Sequence, residues 1–386
     1  MMKRSLALGC AAVAFAATSG TALAQAKFDV TVGGDAFLQG AYIDQDDDAG
    51  LRSFEMRNRF RLVVTPTAKA DNGLEYGGRV RIRAASGART TDADRAYIFA
   101  SGVFGTLQGG VINGLSDEYG IIGPNVEGIA GGADNATLEF LTGSSSYNSG
   151  LAASAQNFRN LVSGDVGTKV VYLTPKFAGF TGGISYSPRT GDHNTSVNRL
   201  ERLPFASGQR AVDYQDIVEV GANYANEFGA VTVEASAYYQ FGKATDTTGG
   251  GVATYEDLSS YNIGLNVGFA GFKVGAMYMN AGDSGYNKNT AVNFSRTKQD
   301  VWILGANYTT GPIILAANYL RYKDAGDLTV NGSSKLDLYQ AGVTYTVAPG
   351  LTAGLEYSYF KARHDDTVSF PNDKGSIIML DTRLAF

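Results

Sequence analysis

The sequence predicts an all-β fold, a sixteen-stranded antiparallel transmembrane β-barrel with short turns at one end and long loops at the other. Three observations predict it. Apolar residues alternate with small or polar ones over many successive segments. The connections between those segments are short and long in strict alternation. Glycine and aromatic residues are abundant (49 Gly, 22 Tyr and 20 Phe against 8 Pro and 1 Trp), yet beyond the N-terminus no apolar run reaches the length of a membrane helix.

The alternation is clearest toward the C-terminus. Tyr261, Ile263, Leu265, Val267 and Phe269 alternate with Asn262, Gly264, Asn266 and Gly268. Val231 to Tyr239 and Leu351 to Tyr359 behave alike. A period of two puts each set on its own face of a sheet. The small or charged set recurs over too many strands to fill one core, so the apolar set is expected to face lipid.

Short connections are expected at Asp71-Asn72-Gly73, Val103-Phe104-Gly105, 176–180, Glu227-Phe228-Gly229, Ala270-Gly271, 309–312 and Ala348-Pro349-Gly350. Long ones are expected at 44–52, 85–93, 115–164, 189–212, 243–256, 282–299, 324–334 and 364–374. Seven short and eight long connections join sixteen strands, and an even count returns both termini to the short-turn, periplasmic side. The last segment places Ile378, Leu380, Thr382, Leu384 and Phe386 on one face, and an aromatic closing residue resembles the signal read by the outer-membrane barrel assembly machinery.

Residues 1–24 read as a secretory signal peptide: Lys3 and Arg4, an apolar stretch, then Ala22-Leu23-Ala24 at the cleavage spacing. The barrel domain is then 25–386. Cleavage removes the only cysteine, Cys10, and takes the formal charge from −5 to −7. The acidic balance argues against nucleic acid as a partner, and a mature chain without cysteine has neither disulfides nor a thiol nucleophile. His193 and His364 both fall in polar, loop-like sequence, away from any likely Ser and acid, so neither an enzyme nor a cofactor site is expected.

Two neighbouring segments carry the functional candidates. Arg57, Arg59 and Arg61 alternate with Asn58, Phe60 and Leu62; across the 71–73 turn, Arg79, Arg81 and Arg83 alternate with Val80 and Ile82. An arginine facing lipid at mid-bilayer costs about 2–4 kcal/mol, so the six guanidiniums are expected to line the interior wall. The competing reading pairs them with lipopolysaccharide phosphates or loop carboxylates near a rim. Such a density of like charge needs compensation. The candidate source is the longest connection, 115–164, which carries Asp117, Glu118, Glu127, Asp134 and Glu139. A loop of about fifty residues calls for a function, and folding into the lumen would set its acids opposite the arginines. The alternative is an exposed loop whose acids bind divalent cations such as calcium.

Asp94-Arg95-Ala96-Tyr97-Ile98, then Gly102-Val103-Phe104-Gly105-Thr106-Leu107-Gln108-Gly109-Gly110, resembles the fourth-to-fifth strand hairpin of Gram-negative trimeric porins, closest to the alphaproteobacterial general porins. The resemblance covers the mature chain in organisation, but in motif only this hairpin and Phe386. It implies a homotrimer in the outer membrane, an inward third loop, basic wall residues facing loop acids, and passive diffusion of small hydrophilic solutes. Family members usually carry a basic residue after the second glycine of this hairpin, where this chain has Gly110-Val111. A solute-selective channel of the same fold is the principal alternative; an adhesin or structural barrel and an outer-membrane enzyme are the others.

Overall fold

The structure, a computed structural model, describes residues 27–84, 91–124, 136–141, 167–191, 203–204, 213–245, 247–248, 254–289, 294–295, 297–365 and 371–386. The expected signal peptide with Cys10, as well as His193, lies outside the described residues.

The first eight barrel strands are β1 Asp29–Gln45, β2 Phe54–Lys69, β3 Glu75–Ala84, β4 Thr91–Gly102, β5 Gly105–Ile112, β6 Gly167–Leu173, β7 Phe180–Arg189 and β8 Tyr214–Phe228. They are followed by β9 Val231–Ala244, β10 Leu258–Phe269, β11 Phe272–Gly282, β12 Gln299–Thr310, β13 Ile313–Asp324, β14 Ser334–Ala348, β15 Leu351–His364 and β16 Asp373–Ala385. Each strand pairs antiparallel with its chain neighbours, and β1 closes on β16. At the seam the Gly34 N–H donates to the Phe386 carbonyl at 2.8 Å, and the Phe386 N–H to the Gly34 carbonyl at 3.1 Å. Two-residue segments, Leu203–Pro204 and Thr247–Thr248, form a separate parallel pair.

The short and long connections fall where the sequence puts them. Between β10 and β11 the turn is Ala270-Gly271, with φ of 49° and 85°. Two successive positive φ values match the twist of a tight hairpin, which glycine adopts without strain. Both described ends of the chain lie on the short-turn side.

The outer face is apolar. Leu38, Phe60, Ile98, Ile263, Leu265, Leu304, Leu355 and Leu380 are all exposed on it. Aromatic rings gird its long-loop side, with Tyr278 against Trp302 at 4.2 Å and Tyr319 against Tyr339 at 4.9 Å between centroids. Such belts mark the lipid–water boundary.

The inner face departs from expectation over β11–β16 and β1. Met277, Met279, Val301, Ile303, Leu338 and Met379 point inward and form one buried apolar cluster. The reason is that these side chains meet a returning loop in place of water. Where both faces of a strand are dry, the sequence is apolar at consecutive positions, as in Val301-Trp302-Ile303-Leu304 and Ile377-Ile378-Met379-Leu380.

Candidate functional site

Register fixes the sidedness of the arginines. Asp35 on β1 stands opposite Arg61, Phe37 opposite Arg59 and Gln39 opposite Arg57, while the neighbours Leu38 and Phe60 are exposed on the outside. On the other flank Arg61 pairs with Arg83, and Arg81 stands opposite Arg95 of β4. All six predicted arginines therefore share the inner face.

Their nearest carboxylates belong to the wall itself. Asp35 accepts from Arg61 Nε at 2.7 Å and from Arg59 Nη2 at 3.1 Å. Asp94 takes both prongs of Arg81, each at 2.7 Å, and lies 3.2 Å from Arg83 Nη1. Arg83 also reaches Asp92 at 3.1 Å. Arg57 and Arg59 stack over the Phe37 ring at 5.1 and 4.6 Å. Bidentate, charge-assisted contacts of this kind hold a guanidinium in one orientation.

A bulge aims Asp94. Arg81 pairs with Arg95 but the next residue, Ile82, pairs with Ala93, so Asp94 is an extra residue in β4. Two consecutive side chains, Asp94 and Arg95, are consequently both buried on the inner side, which a regular strand does not allow. Further along, Gly110 of β5 has φ 140°, and a Cβ there would lie 2.4 Å from the Ala96 carbonyl oxygen. A basic side chain does not fit at that position. Lys169 of β6, opposite Gly110 in the register and buried, supplies the inward cation in that part of the wall.

The connection after β5 enters the barrel. Helix α1, Leu115–Tyr119, is held by Glu219 of β8, whose carboxylate accepts the Leu115 and Ser116 N–H groups at 2.7 and 2.8 Å. A carboxylate at a helix N-terminus satisfies donors that have no partner within the helix. The Ile121 N–H then donates to Ser236 Oγ of β9 at 2.8 Å. The backbone goes on over wall glycines: a Cβ on Gly264 would lie 1.9 Å from the Ile121 carbonyl oxygen, and one on Gly305 would lie 1.7 Å from that of Pro124. These positions are glycine because the loop lies flat on the wall.

A second short helix, α2 Ala136–Glu139, rests against the far side. Thr137 Oγ1 donates to Glu356 of β15 and accepts from Gln340 Nε2 of β14 at 3.1 Å. Leu138 and Leu141 are buried in the apolar cluster, and burying each contributes about 1.5–3 kcal/mol. Glu356 Oε1 also accepts from Gln340 at 2.8 Å and Ser358 at 3.0 Å, so one inward carboxylate oxygen ties the loop's Thr137 to two wall side chains.

Two predicted loop acids line clefts with the arginines. Glu118 borders a cleft with Arg79, Arg81 and Arg95, and accepts from Asn113 at 2.8 Å. Glu139 borders another with Arg57. Asp117 sits in α1; Glu127 and Asp134 lie outside the described residues. Tyr97, Tyr119 and Tyr238 are also inside, so the inner face is not free of tyrosine. Burial, and then the adjacent Glu118, push the Tyr119 hydroxyl up to about 12, which keeps it neutral.

His364 is not in a loop but closes β15 as a buried residue, with Nδ1 2.6 Å from Ser334 Oγ. In the register Ser334 stands between His364 and Asp324. A nucleophile–base–acid relay has the imidazole in the middle and a reachable serine, and here all three residues are buried.

The family model for Gram-negative porins matches residues 11–365. The chain belongs to the Gram-negative porin family. Among relatives, this porin is 23% identical to an uncharacterised protein of Rickettsia conorii, with 93% of each chain covered. Among solved structures it is similar to the anion-selective porin from Comamonas acidovorans (17% identity, TM-score 0.59, 93% of this chain and 100% of that one). It is likewise similar to the trimer form of OmpT, an outer membrane protein of Vibrio cholerae (14%, 0.59, 93% and 99%), and to a double mutant of Rh. blastica porin (16%, 0.54, 93% and 100%). The family and the closed sixteen-stranded barrel place it in the outer membrane of a Gram-negative cell.

Sequence reasoning missed Asp35, Asp92, Asp94, Lys169, Glu219 and Glu356. The bulge that turns Asp94 inward leaves no mark in a period-two reading. Glu219 and Glu356 did carry a signal, since each is a carboxylate between apolar neighbours on a strand, Val218 and Val220 for one and Leu355 and Tyr357 for the other.

Proposed function

We propose that this porin is a passive channel for small hydrophilic solutes and ions, with a preference for anions, and that it acts as a homotrimer without cofactor or catalytic activity. The observation that carries the proposal is the row of braced guanidiniums facing a loop laid inside the barrel. Arg57, Arg59, Arg61, Arg79, Arg81, Arg83 and Arg95 outnumber Asp35, Asp92 and Asp94, so this braced cluster carries a surplus of four positive charges. Glu118 and Glu139 face it across clefts. The constriction is read as the space between this wall and α1, with Asp117, Glu127 and Asp134 as further loop acids, and Phe386 as the residue read during assembly.

The trimer reading rests on the outer face of β3–β5. There Gly78, Val80, Ala96, Ile98 and Gly109 shape a shallow apolar concavity, and among the described residues the long-loop-side aromatic belt is interrupted between Phe54 of β2 and Tyr186 of β7. A second copy of the chain covers such a surface better than lipid does, and one structural neighbour is described as a trimer. Purified protein should insert into planar bilayers in unit steps that close through three sublevels, with an ohmic conductance. Insertion without conductance would defeat the channel reading; single-level closure would defeat the trimer.

A solute-selective channel is favoured by one observation, Tyr97 and Tyr119 beside the Arg79 cleft. It would show as saturable uptake in liposomes, where a general channel gives flux linear in concentration.

A further inference from the structure

We infer that the outer face of β13–β15, just below the long-loop rim, is a docking surface for the phosphate groups of an outer-leaflet glycolipid, the chemistry of lipopolysaccharide. The inference rests on the barrel's place in an outer membrane but not on what passes through its pore.

Arg321 and Lys323 of β13, Lys335 and Asp337 of β14, and Lys361 and Arg363 of β15 share the face on which Leu315, Tyr339 and Leu355 are exposed. They therefore stand on the lipid side of the wall. The register stacks them in two rows: Lys323, Lys335 and Arg363 at the rim, then Arg321, Asp337 and Lys361 one step below. Directly beneath lies the aromatic row Tyr319, Tyr339 and Tyr359, whose ring centroids are 4.9 and 6.4 Å apart. Aromatic rows sit at the headgroup boundary, so the charges lie at headgroup height, where a cation on the outer face can meet a lipid phosphate.

Asp337 organises the patch. Its buried carboxylate accepts from Arg321 Nε at 2.9 Å and from the Tyr319 hydroxyl at 2.5 Å, and it is also bonded by Arg363. One carboxylate thus fixes two guanidiniums on side chains that stay 44% and 41% exposed, although Arg363 Nε itself is buried. Counting Asp300, which stands beside Lys323, five cations meet two carboxylates, a surplus of three positive charges. Among the described residues neither Lys335 nor Lys361 has a carboxylate within ion-pair distance. Other rim lysines do have such partners: Lys243 lies 2.8 Å from Asp257, and Lys374, opposite Lys361 in the register, lies 3.7 Å from Asp46. A concentrated surplus on a membrane-facing wall calls for anions from the membrane. Fixed guanidinium forks flanked by lysines suit a phosphomonoester, which accepts several charge-assisted hydrogen bonds at once.

The chain's single tryptophan provides the readout, because Trp302 pairs with Arg321 across β12–β13 and is exposed on the same face. Trp302 fluorescence of the detergent-solubilised protein should change saturably with purified bis-phosphorylated lipid A. K335Q/K361Q should weaken that binding by about tenfold, the loss of two charge-assisted contacts, while the charge-keeping K335R/K361R retains it. Equal binding of dephosphorylated lipid A, or wild-type affinity in K335Q/K361Q, would overturn the inference. Saturation by inorganic pyrophosphate alone at the same concentration would also overturn it, assigning the patch to a soluble anion. Neither lysine lines the lumen, so K335Q/K361Q should conduct as the wild type does. That measurement separates failure of this surface from failure of the channel reading.

Discussion

Replacing Arg79, Arg81 and Arg83 together by glutamine tests the charge preference directly. The cluster of seven arginines and three aspartates carries a surplus of four positive charges, and the substitution leaves one. With Glu118 and Glu139 included, the local balance falls from plus two to minus one and changes sign. An ion passing about 7 Å from one such charge, in a water-filled lumen, feels about 0.6 kcal/mol. Screening at about 0.1 M salt halves this, so three charges supply about 0.9 kcal/mol. The same potential favours anions and disfavours cations, so the anion-to-cation permeability ratio should fall by about 1.8 kcal/mol, about twentyfold. The assay is the reversal potential of single channels under a KCl gradient, with the potential moving toward the cation equilibrium value. Because Arg81 is the bidentate partner of buried Asp94, the single variant R79Q serves as a companion of smaller structural consequence, expected to move the potential in the same direction by about a third as much. An unmoved reversal potential in both, with wild-type conductance, would remove these arginines from the constriction.

Gly305→Val sets side-chain atoms where the Pro124 carbonyl oxygen now lies, 1.7 Å from the added Cβ. The loop should lift from β12 and single-channel conductance should change well beyond its spread; an unaltered conductance with normal folding would show that the loop does not narrow the path. Phe386→Ala removes a ring that sits 6.0 Å from Phe60 and lies against Gly34 at the β1–β16 seam. The yield of heat-resistant, membrane-assembled barrel should fall in cells, while refolding of purified chain in detergent is affected less; equal yields in cells would refute an assembly role.

Much of the barrel was legible because its rules are local. The β11–β12 and β13–β14 loops begin and end at the residues that alternation and turn chemistry select, Gly282 and Gln299, then Asp324 and Ser334. The sidedness of the six arginines was legible for the same reason. Their partners were not. Asp35 is an isolated acid in a glycine-rich stretch, and only the β1–β2 register brings it between Arg59 and Arg61. Asp94 needs a bulge that no periodicity records. The dry half of the lumen left a readable sign, consecutive apolar residues in mid-strand, but its meaning depends on Leu138 and Leu141 arriving from a loop with no periodic pattern. The glycines beneath that loop look, in sequence, like any others in a glycine-rich barrel.

These two halves divide the work of the pore. Unbraced guanidiniums about 5 Å apart repel by about 0.8 kcal/mol per pair even in water, and the side chains would scatter to reduce it. Asp35 and Asp94 lower the net charge of the wall, yet each holds two arginines in fixed positions, so the remaining surplus acts from defined points. The opposite half is mostly uncharged: Gly264 and Gly305 let the loop backbone lie against the wall, Glu356 and Gln340 hold Thr137, and the apolar cluster takes up Leu138 and Leu141. Because the loop is anchored on that side, its acids are not required to neutralise the arginines and can face them across open clefts. On this reading the transverse field of the pore is set by the small difference between seven arginines and three wall aspartates, so altering one of those aspartates changes selectivity as strongly as altering an arginine.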